Sequence, residues 1–389
     1  MVFVMTACAE NSSQSEKSQP AEQTTVQPTT MSVEEINDRK LDKFISDMTL
    51  EEKVGQMFFV RCPDEDAVQH VSEYNIGGYI LFGRDFDGKT QDEVVDDIHS
   101  YQNEADIPLL IGVDEEGGTV VRVSSNPNLR ETPFLSPKDT YADGGWDAVK
   151  QDAEEKADLL LSLGINVNLA PVCDMTSDEY GFMYDRSFSS DVDMENRYVR
   201  TVVETSKSKK LGTVLKHFPG YGNNSDTHTG IAYDDRDYSE FENIDFKPFY
   251  QGIESGADCI LVSHNIVNCM DSEYPASLSQ KMHDILRNEF KFDGVIMTDD
   301  LIMDAITDFT GDEAAAVTAA KCGNDLLCCS SVDTQYPAVL EAVQNGEISE
   351  AQVDASVKRI LKWKQNLGIF NIDTYQKKVR TTDPTDATE

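Results

Sequence analysis

Eight short apolar runs rich in β-branched residues recur along the chain, each followed by a longer segment with helical periodicity. This alternation is the feature that most constrains the fold. The runs are GQMFFVR (55–61), GGYILFGR (77–84), PLLIGVDEE (108–116), INVNLAPVCD (165–174), GTVLKHFPG (212–220), ADCILVSH (257–264), DGVIMTDD (293–300) and NDLLCCSS (324–331). Helical candidates between them include Thr90 to Ala105, Trp146 to Leu163, Ser189 to Leu211, Leu278 to Phe290 and Gly311 to Lys321, with Ser349 to Leu367 closing the count. Strands that are apolar on both faces belong to parallel sheets, and eight strand and helix repeats predict an α/β chain closed into a single (β/α)8 TIM-type barrel.

Composition narrows the function classes. Hydrophobic residues make up 39% of the 389 positions, enough for one large core, and no apolar run beyond the extreme N-terminus approaches the roughly 18 residues of a membrane span. The 71 acidic against 33 basic residues give a formal charge of −38. Such a surface repels a polyanion, so no nucleic-acid partner is expected.

A barrel of this kind carries its chemistry at the C-terminal ends of its strands. Those ends read, in order, Arg61, Arg84, Asp114 with Glu115 and Glu116, Asp174, Lys216 with His217, His264, and Asp299 with Asp300. Solvation alone does not account for Lys and His directly after an apolar strand. The fifth strand runs into KHFPGYGNNSDTHTG, Lys216 to Gly230, where two His, a Lys and an Asp share a glycine-rich loop. Imidazole titrates near neutrality, so a loop histidine such as His228 can serve as acid and then as base.

These pieces carry a family resemblance. KHFPGYG…DTH, VDEEGGTVVR, MTLEEKVGQMF (48–58), GGYILFGR and GVIMTDDLIMDAI (294–306) together resemble glycoside hydrolase family 3, in its bacterial β-N-acetylhexosaminidase branch, over about residues 40 to 335. The resemblance implies a retaining β-N-acetylhexosaminidase that removes terminal β-linked N-acetylhexosamine from oligosaccharides or peptidoglycan fragments. Retention needs a carboxylate to attack the anomeric carbon and a second group to protonate the leaving oxygen. By the resemblance Asp299 is the nucleophile, His228 the acid/base and Asp226 the group that orients it. Asp114, Arg122, Arg186, Lys216 and His217 match the family's sugar-binding positions. No cofactor and no metal is implied. The chain departs from the branch pattern at Asn223 to Ser225, one residue short before Asp226, at Tyr221 where His or Arg is usual, and at Thr119 where the family has Arg.

The N-terminus resembles a truncated bacterial lipoprotein signal: an apolar stub reaches Cys8 after Thr6 and Ala7, and a Ser/Gln/Thr/Pro/Glu tract follows. The expected organisation is a signal and disordered tether over 1–32, the catalytic barrel over 33–375 and a polar tail over 376–389. Membrane contact is expected only through a lipid anchor at Cys8, on the outer face of the cell membrane, and the protein is expected to be extracytoplasmic and monomeric. Eight cysteines are too few for a disulfide scaffold, and no C-x-x-C pair points to a metal.

Other readings stay open at this level. A β-glucosidase or β-xylosidase, or a phosphate-dependent glycoside phosphorylase of the same family, would use the same nucleophile. A metal-dependent hydrolase could ligate through Asp226, His228, His217 and His264, but the H-x-H usual on its first strand is missing. A sugar-binding lipoprotein without activity would share the tether, though it would not need Asp299 and His228 together.

Overall fold

The computed structural model describes residues 1–3, 31–224 and 230–377. Cys8, Asp226 and His228 lie outside the described residues. The chain divides into a short unit, Met1–Arg39, and a large one, Lys40–Glu389. The first helix begins at Val33, where Ser32 and Glu35 exchange backbone-to-side-chain hydrogen bonds of 2.7 and 3.1 Å.

Within the large unit the eight apolar runs become eight strands: β1 Phe58–Arg61, β2 Gly78–Leu81, β3 Leu110–Val113, β4 Val167–Asn168, β5 Gly212–Phe218, β6 Cys259–Val262, β7 Val295–Thr298 and β8 Leu327–Cys329. They form one parallel sheet in the order β8-β1-β2-β3-β4-β5-β6-β7. Its two edges meet through a Met297–Leu326 bridge and through hydrogen bonds of 3.1 Å from Leu326 N to Ile296 O and from Thr298 N to Leu326 O. The sheet is thereby a nearly closed (β/α)8 barrel.

The barrel is filled, not hollow. Phe59 projects inward so closely that a Cβ at Gly112 would meet its ring at 2.5 Å, so only glycine fits across from it on β3. Phe58, Phe59 and Tyr79 are fully buried, and each such ring contributes about 2–3 kcal/mol by leaving water.

The outer helices start and stop where local chemistry dictates. Thr90 and Glu93 form a capping box at the head of Gln91–Glu104, and Ser349 caps Glu350–Leu367, which ends at Gly368 in the left-handed region. Three segments depart from the sequence reading. The helix expected from Trp146 begins at Pro137 and kinks at Gly144 and Gly145. The segment expected as one helix over 278–290 is a short 3₁₀ turn, an α-turn at Gln280–Asp284 and a π-turn at Ile285–Glu289. Helices at Phe246–Ser255 and Val332–Gln344, absent from that reading, contain Pro248 and Pro337, which obscure their periodicity. Among the described residues no helix is long and apolar enough to cross a membrane.

Candidate active site

A pocket of about 370 Å³ opens at the C-terminal ends of the strands, and Arg61, Asp114, Glu116, Arg122, Arg186, Lys216, His217, Asp299 and Asp300 are among the residues that line it. All six candidate residues that fall within the described part of the chain are therefore brought together: Asp114, Arg122, Arg186, Lys216, His217 and Asp299.

The loop after β3 is shaped by glycine and by a carboxylate. Gly117 and Gly118 take φ of +102° and +64°, the left-handed region that a side chain would strain. Glu115, fully buried, turns inward to accept from the backbone of Arg122 and Val123 at 2.9 and 2.7 Å and from the Ser124 hydroxyl. It ties the loop down and leaves Asp114 and Glu116 to the pocket.

Those two carboxylates meet two cations from other strands. Lys216 Nζ lies 2.5 Å from Asp114 Oδ1 and 2.7 Å from Glu116 Oε1. Arg186 grips Glu116 with both tines of its fork, Nε to Oε2 at 2.9 Å and Nη2 to Oε1 at 2.8 Å. Burial alone would raise the Glu116 carboxyl, but Lys216 and Arg186 outweigh it and hold it well below the usual carboxylate range. Burial likewise works against the Lys216 ammonium, and Asp114 with Glu116 more than offsets it, so its pKa is raised. The result is a rigid, charge-balanced floor in which the exposed edge of Asp114 can accept from a sugar hydroxyl.

His217 is held from behind. Its Nδ1 donates to Asp174 Oδ2 at 2.7 Å, its backbone N donates to the same oxygen at 2.9 Å, and its Nε2 lies 3.3 Å from Arg186 Nη2. The β5–β6 register shifts between Leu215 and Phe218, and within this irregular stretch both Lys216 and His217 reach the pocket.

Asp299 follows β7 directly. Its backbone N donates to Val262 O at 3.2 Å, and its Oδ1 accepts from Asp300 N at 2.9 Å. Asp300 also lines the pocket, but its carboxylate is engaged by the Ser330 hydroxyl at 2.5 Å and by Ile302 N at 3.2 Å, and burial raises its pKa. Arg122 and Arg61 both lie over the Phe82 ring, with guanidinium carbons 5.9 and 4.4 Å from its centroid.

Glu116 and Asp174 had been visible in sequence only as strand-end acids. No sequence signal separates Glu116 from Glu115, since which of two adjacent carboxylates turns outward depends on the loop.

The profile of the Glycosyl hydrolase family 3 N terminal domain matches residues 49–363. A Beta-hexosaminidase of Hydrogenovibrio crunogenus is 32% identical over 286 residues, 72% of this chain and 79% of that protein. The structure of a glycoside hydrolase family 3 beta-N-acetylglucosaminidase from Paenibacillus sp. str. FPU-7 aligns at a TM-score of 0.78 and 29% identity, over 88% of this chain and 66% of its own, so this chain spans just under two thirds of that one. A Beta-N-acetylhexosaminidase from Beutenbergia cavernae aligns at 0.75 and 25% identity, over 82% of this chain and 99% of its own. With a family profile spanning most of the chain and a strand-end pocket of the expected residues, the protein belongs to glycosyl hydrolase family 3 and is a glycoside hydrolase of the β-N-acetylhexosaminidase type.

Proposed function

We propose that the protein removes terminal β-linked N-acetylhexosamine with retention, through a covalent glycosyl bond to Asp299. The observation that carries this reading is the pairing, in one pocket, of the Asp299 carboxylate at the end of β7 with the Asp114, Glu116, Arg186 and Lys216 network across the barrel mouth. The network binds hydroxyls of the non-reducing sugar and fixes its anomeric carbon toward Asp299. Asp299 attacks that carbon while the leaving oxygen takes a proton from His228. Water, deprotonated by the same imidazole, then attacks the glycosyl-aspartate and frees the sugar. Asp226 orients the imidazole. The roles of His228 and Asp226 rest on the D-x-H resemblance of their loop, and the preference for the acetamido sugar is supported by the named relatives.

The test is a panel of p-nitrophenyl β-glycosides assayed with and without phosphate. Turnover of the N-acetylglucosaminide well above the glucoside and xyloside, independent of phosphate, is the expected result. A glucoside turning over far faster overturns the sugar assignment, and sugar 1-phosphate as product overturns hydrolysis.

A further inference from the structure

The network on the pocket floor is balanced, with Arg186 and Lys216 set against Asp114 and Glu116, but the wall beside it is not. Arg61, the last residue of β1, and Arg122, on the loop after β3, both border the same pocket, and both guanidinium groups rest on Phe82 from the end of β2. Neither forms an ion pair among the described residues. The Nε of each is enclosed by protein and meets no hydrogen-bond acceptor among the described residues, and the Arg122 fork makes a 3.4 Å hydrogen bond from Nη1 to the Val121 carbonyl. The neighbouring strand-end arginine behaves differently, since Arg84 is matched to Asp64 at 2.7 Å.

An enclosed Nε–H without an acceptor is costly, because it has given up water with no partner in exchange. Stacking on an aromatic face returns part of that cost and fixes the plane of the fork, but it leaves the N–H edges unused. Two forks on one ring present several N–H donors and two positive charges to the same side of the pocket. A neutral sugar hydroxyl can use single donors of this set. An oxyanion can use them in pairs, by the bidentate geometry that makes guanidinium a selective partner for carboxylate, sulfate and phosphate. The protein as a whole carries a formal charge of −38, a field that disfavours anionic ligands, whereas in this pocket Arg61, Arg122, Arg186 and Lys216 equal Asp114, Glu116, Asp299 and Asp300 in number, and Arg61 and Arg122 are the cations left without an ion pair among the described residues.

We propose that Arg61 and Arg122, laid on Phe82, form an anion subsite, and that the enzyme takes N-acetylhexosaminides whose pocket-bound sugar carries an oxyanion, either an ester such as sulfate or phosphate or a carboxylate. The inference rests on the hexosaminidase reading for the sugar class, while the subsite itself rests on the arginines. Arg61 is the specificity-determining member, since Arg122 already belongs to the sugar-binding set.

Calorimetric titration of the full chain with N-acetylglucosamine, its 6-sulfate, its 6-phosphate and N-acetylmuramic acid reads the subsite without requiring turnover. At least one charged sugar should bind about tenfold or more tightly than the neutral one, the scale of one charge-assisted hydrogen bond. The two esters against the muramic carboxylate tell which oxyanion is preferred. Arg61→Met should remove that advantage, and Arg61→Lys, which keeps the charge but not the fork, should retain part of it. Equal binding of charged and neutral sugars by the unaltered protein overturns the proposal, whatever the variants do. So does an advantage that survives in a folded Arg61→Met protein. In parallel, 4-methylumbelliferyl N-acetylglucosaminide and its 6-sulfate, with any other charged sugar that binds as the matching glycoside, are assayed for hydrolysis. Turnover of the neutral substrate without an anion preference in binding sinks only the subsite, whereas anion-selective binding with turnover of neither the neutral nor the charged glycoside sinks the hexosaminidase reading and leaves the subsite standing.

Discussion

Asp174 and His217 are joined twice through a single oxygen: Oδ2 accepts both the ring Nδ1–H and the backbone N–H of His217, at 2.7 and 2.9 Å. The other oxygen, Oδ1, accepts Tyr221 N at 2.7 Å. One fully buried carboxylate on the segment after the fourth strand thus sets the tautomer of a pocket histidine and anchors the start of the loop that leads to Asp226 and His228.

Asp174→Asn tests that coupling. The amide has one accepting oxygen where the carboxylate has two, so either Tyr221 N or the His217 pair faces an N–H instead of an acceptor. Catalytic efficiency should fall about 10- to 100-fold, chiefly in kcat if the loop moves and chiefly in KM if only the ring turns. Thermal melting, with kcat referred to the folded fraction, separates both from a general loss of fold, which would lower the apparent kcat and leave KM unchanged.

Glu116 makes a second prediction through charge. Glu116→Gln leaves Arg186 and Lys216 with only Asp114 between them in a buried site, which should cost about 3 kcal/mol of stability and raise KM strongly. The same carboxyl also gives the wild type an acid limb. Its folded pKa lies below its unfolded value, so its contribution is full above the usual carboxylate range, near 4.5, and is lost as pH falls through the lowered folded value. Melting temperature should decline with acidification below about pH 4.5, and the decline should be shallower in Glu116→Gln.

Barrel and site differ in how far they could be read from the chain. The strands were legible because both faces of each are buried, which writes a continuous apolar run such as CILV or VIMT into the sequence. Their polar ends followed from the architecture. The pairing of those ends was not legible: Lys216 reaches Asp114 across 102 positions and Arg186 reaches Glu116 across 70, contacts set by ring closure and not by any local pattern. Arg61 was visible as a strand end, but its stacking on Phe82 depends on the neighbouring strand.

Lys364 gives a third prediction, away from the site. It is fully buried in Glu350–Leu367 and donates to Gln56 Oε1 at 2.8 Å, with no carboxylate in ion-pair range among the described residues. Burial lowers its pKa from 10.5 to about 7. The unfolded chain therefore holds this proton up to about pH 10.5 while the folded chain releases it above about pH 7, so between those values the unfolded state binds more protons and stability rises with pH. Lys364→Met, close in length and without the charge, should raise stability by about 1–2 kcal/mol at pH 7. The gain should shrink toward pH 10. Thermal melts at the two pH values check it, and a variant less stable at both would show that the Gln56 hydrogen bond outweighs the buried charge.

The final prediction separates the two proposed catalytic groups by the step each serves. Without Asp299 no glycosyl bond to the enzyme can form, so Asp299→Ala should lose nearly all activity on every substrate. Asp300→Asn should keep far more, because the Asp300 carboxylate is already committed to Ser330 and Ile302. His228→Ala should depend on the leaving group. A p-nitrophenolate departs without a proton, so glycosylation proceeds while deglycosylation, which needs a base to activate water, becomes slow. A burst of nitrophenolate and an accumulated glycosyl-enzyme should therefore appear, and azide, a nucleophile that needs no base, should restore turnover. Loss on a natural disaccharide should be much larger, since its leaving oxygen must be protonated. Asp226→Ala should follow the same pattern in milder form. Equal losses for His228→Ala on activated and natural substrates, with neither burst nor azide rescue, would remove His228 from the chemistry and leave Asp299 without its partner.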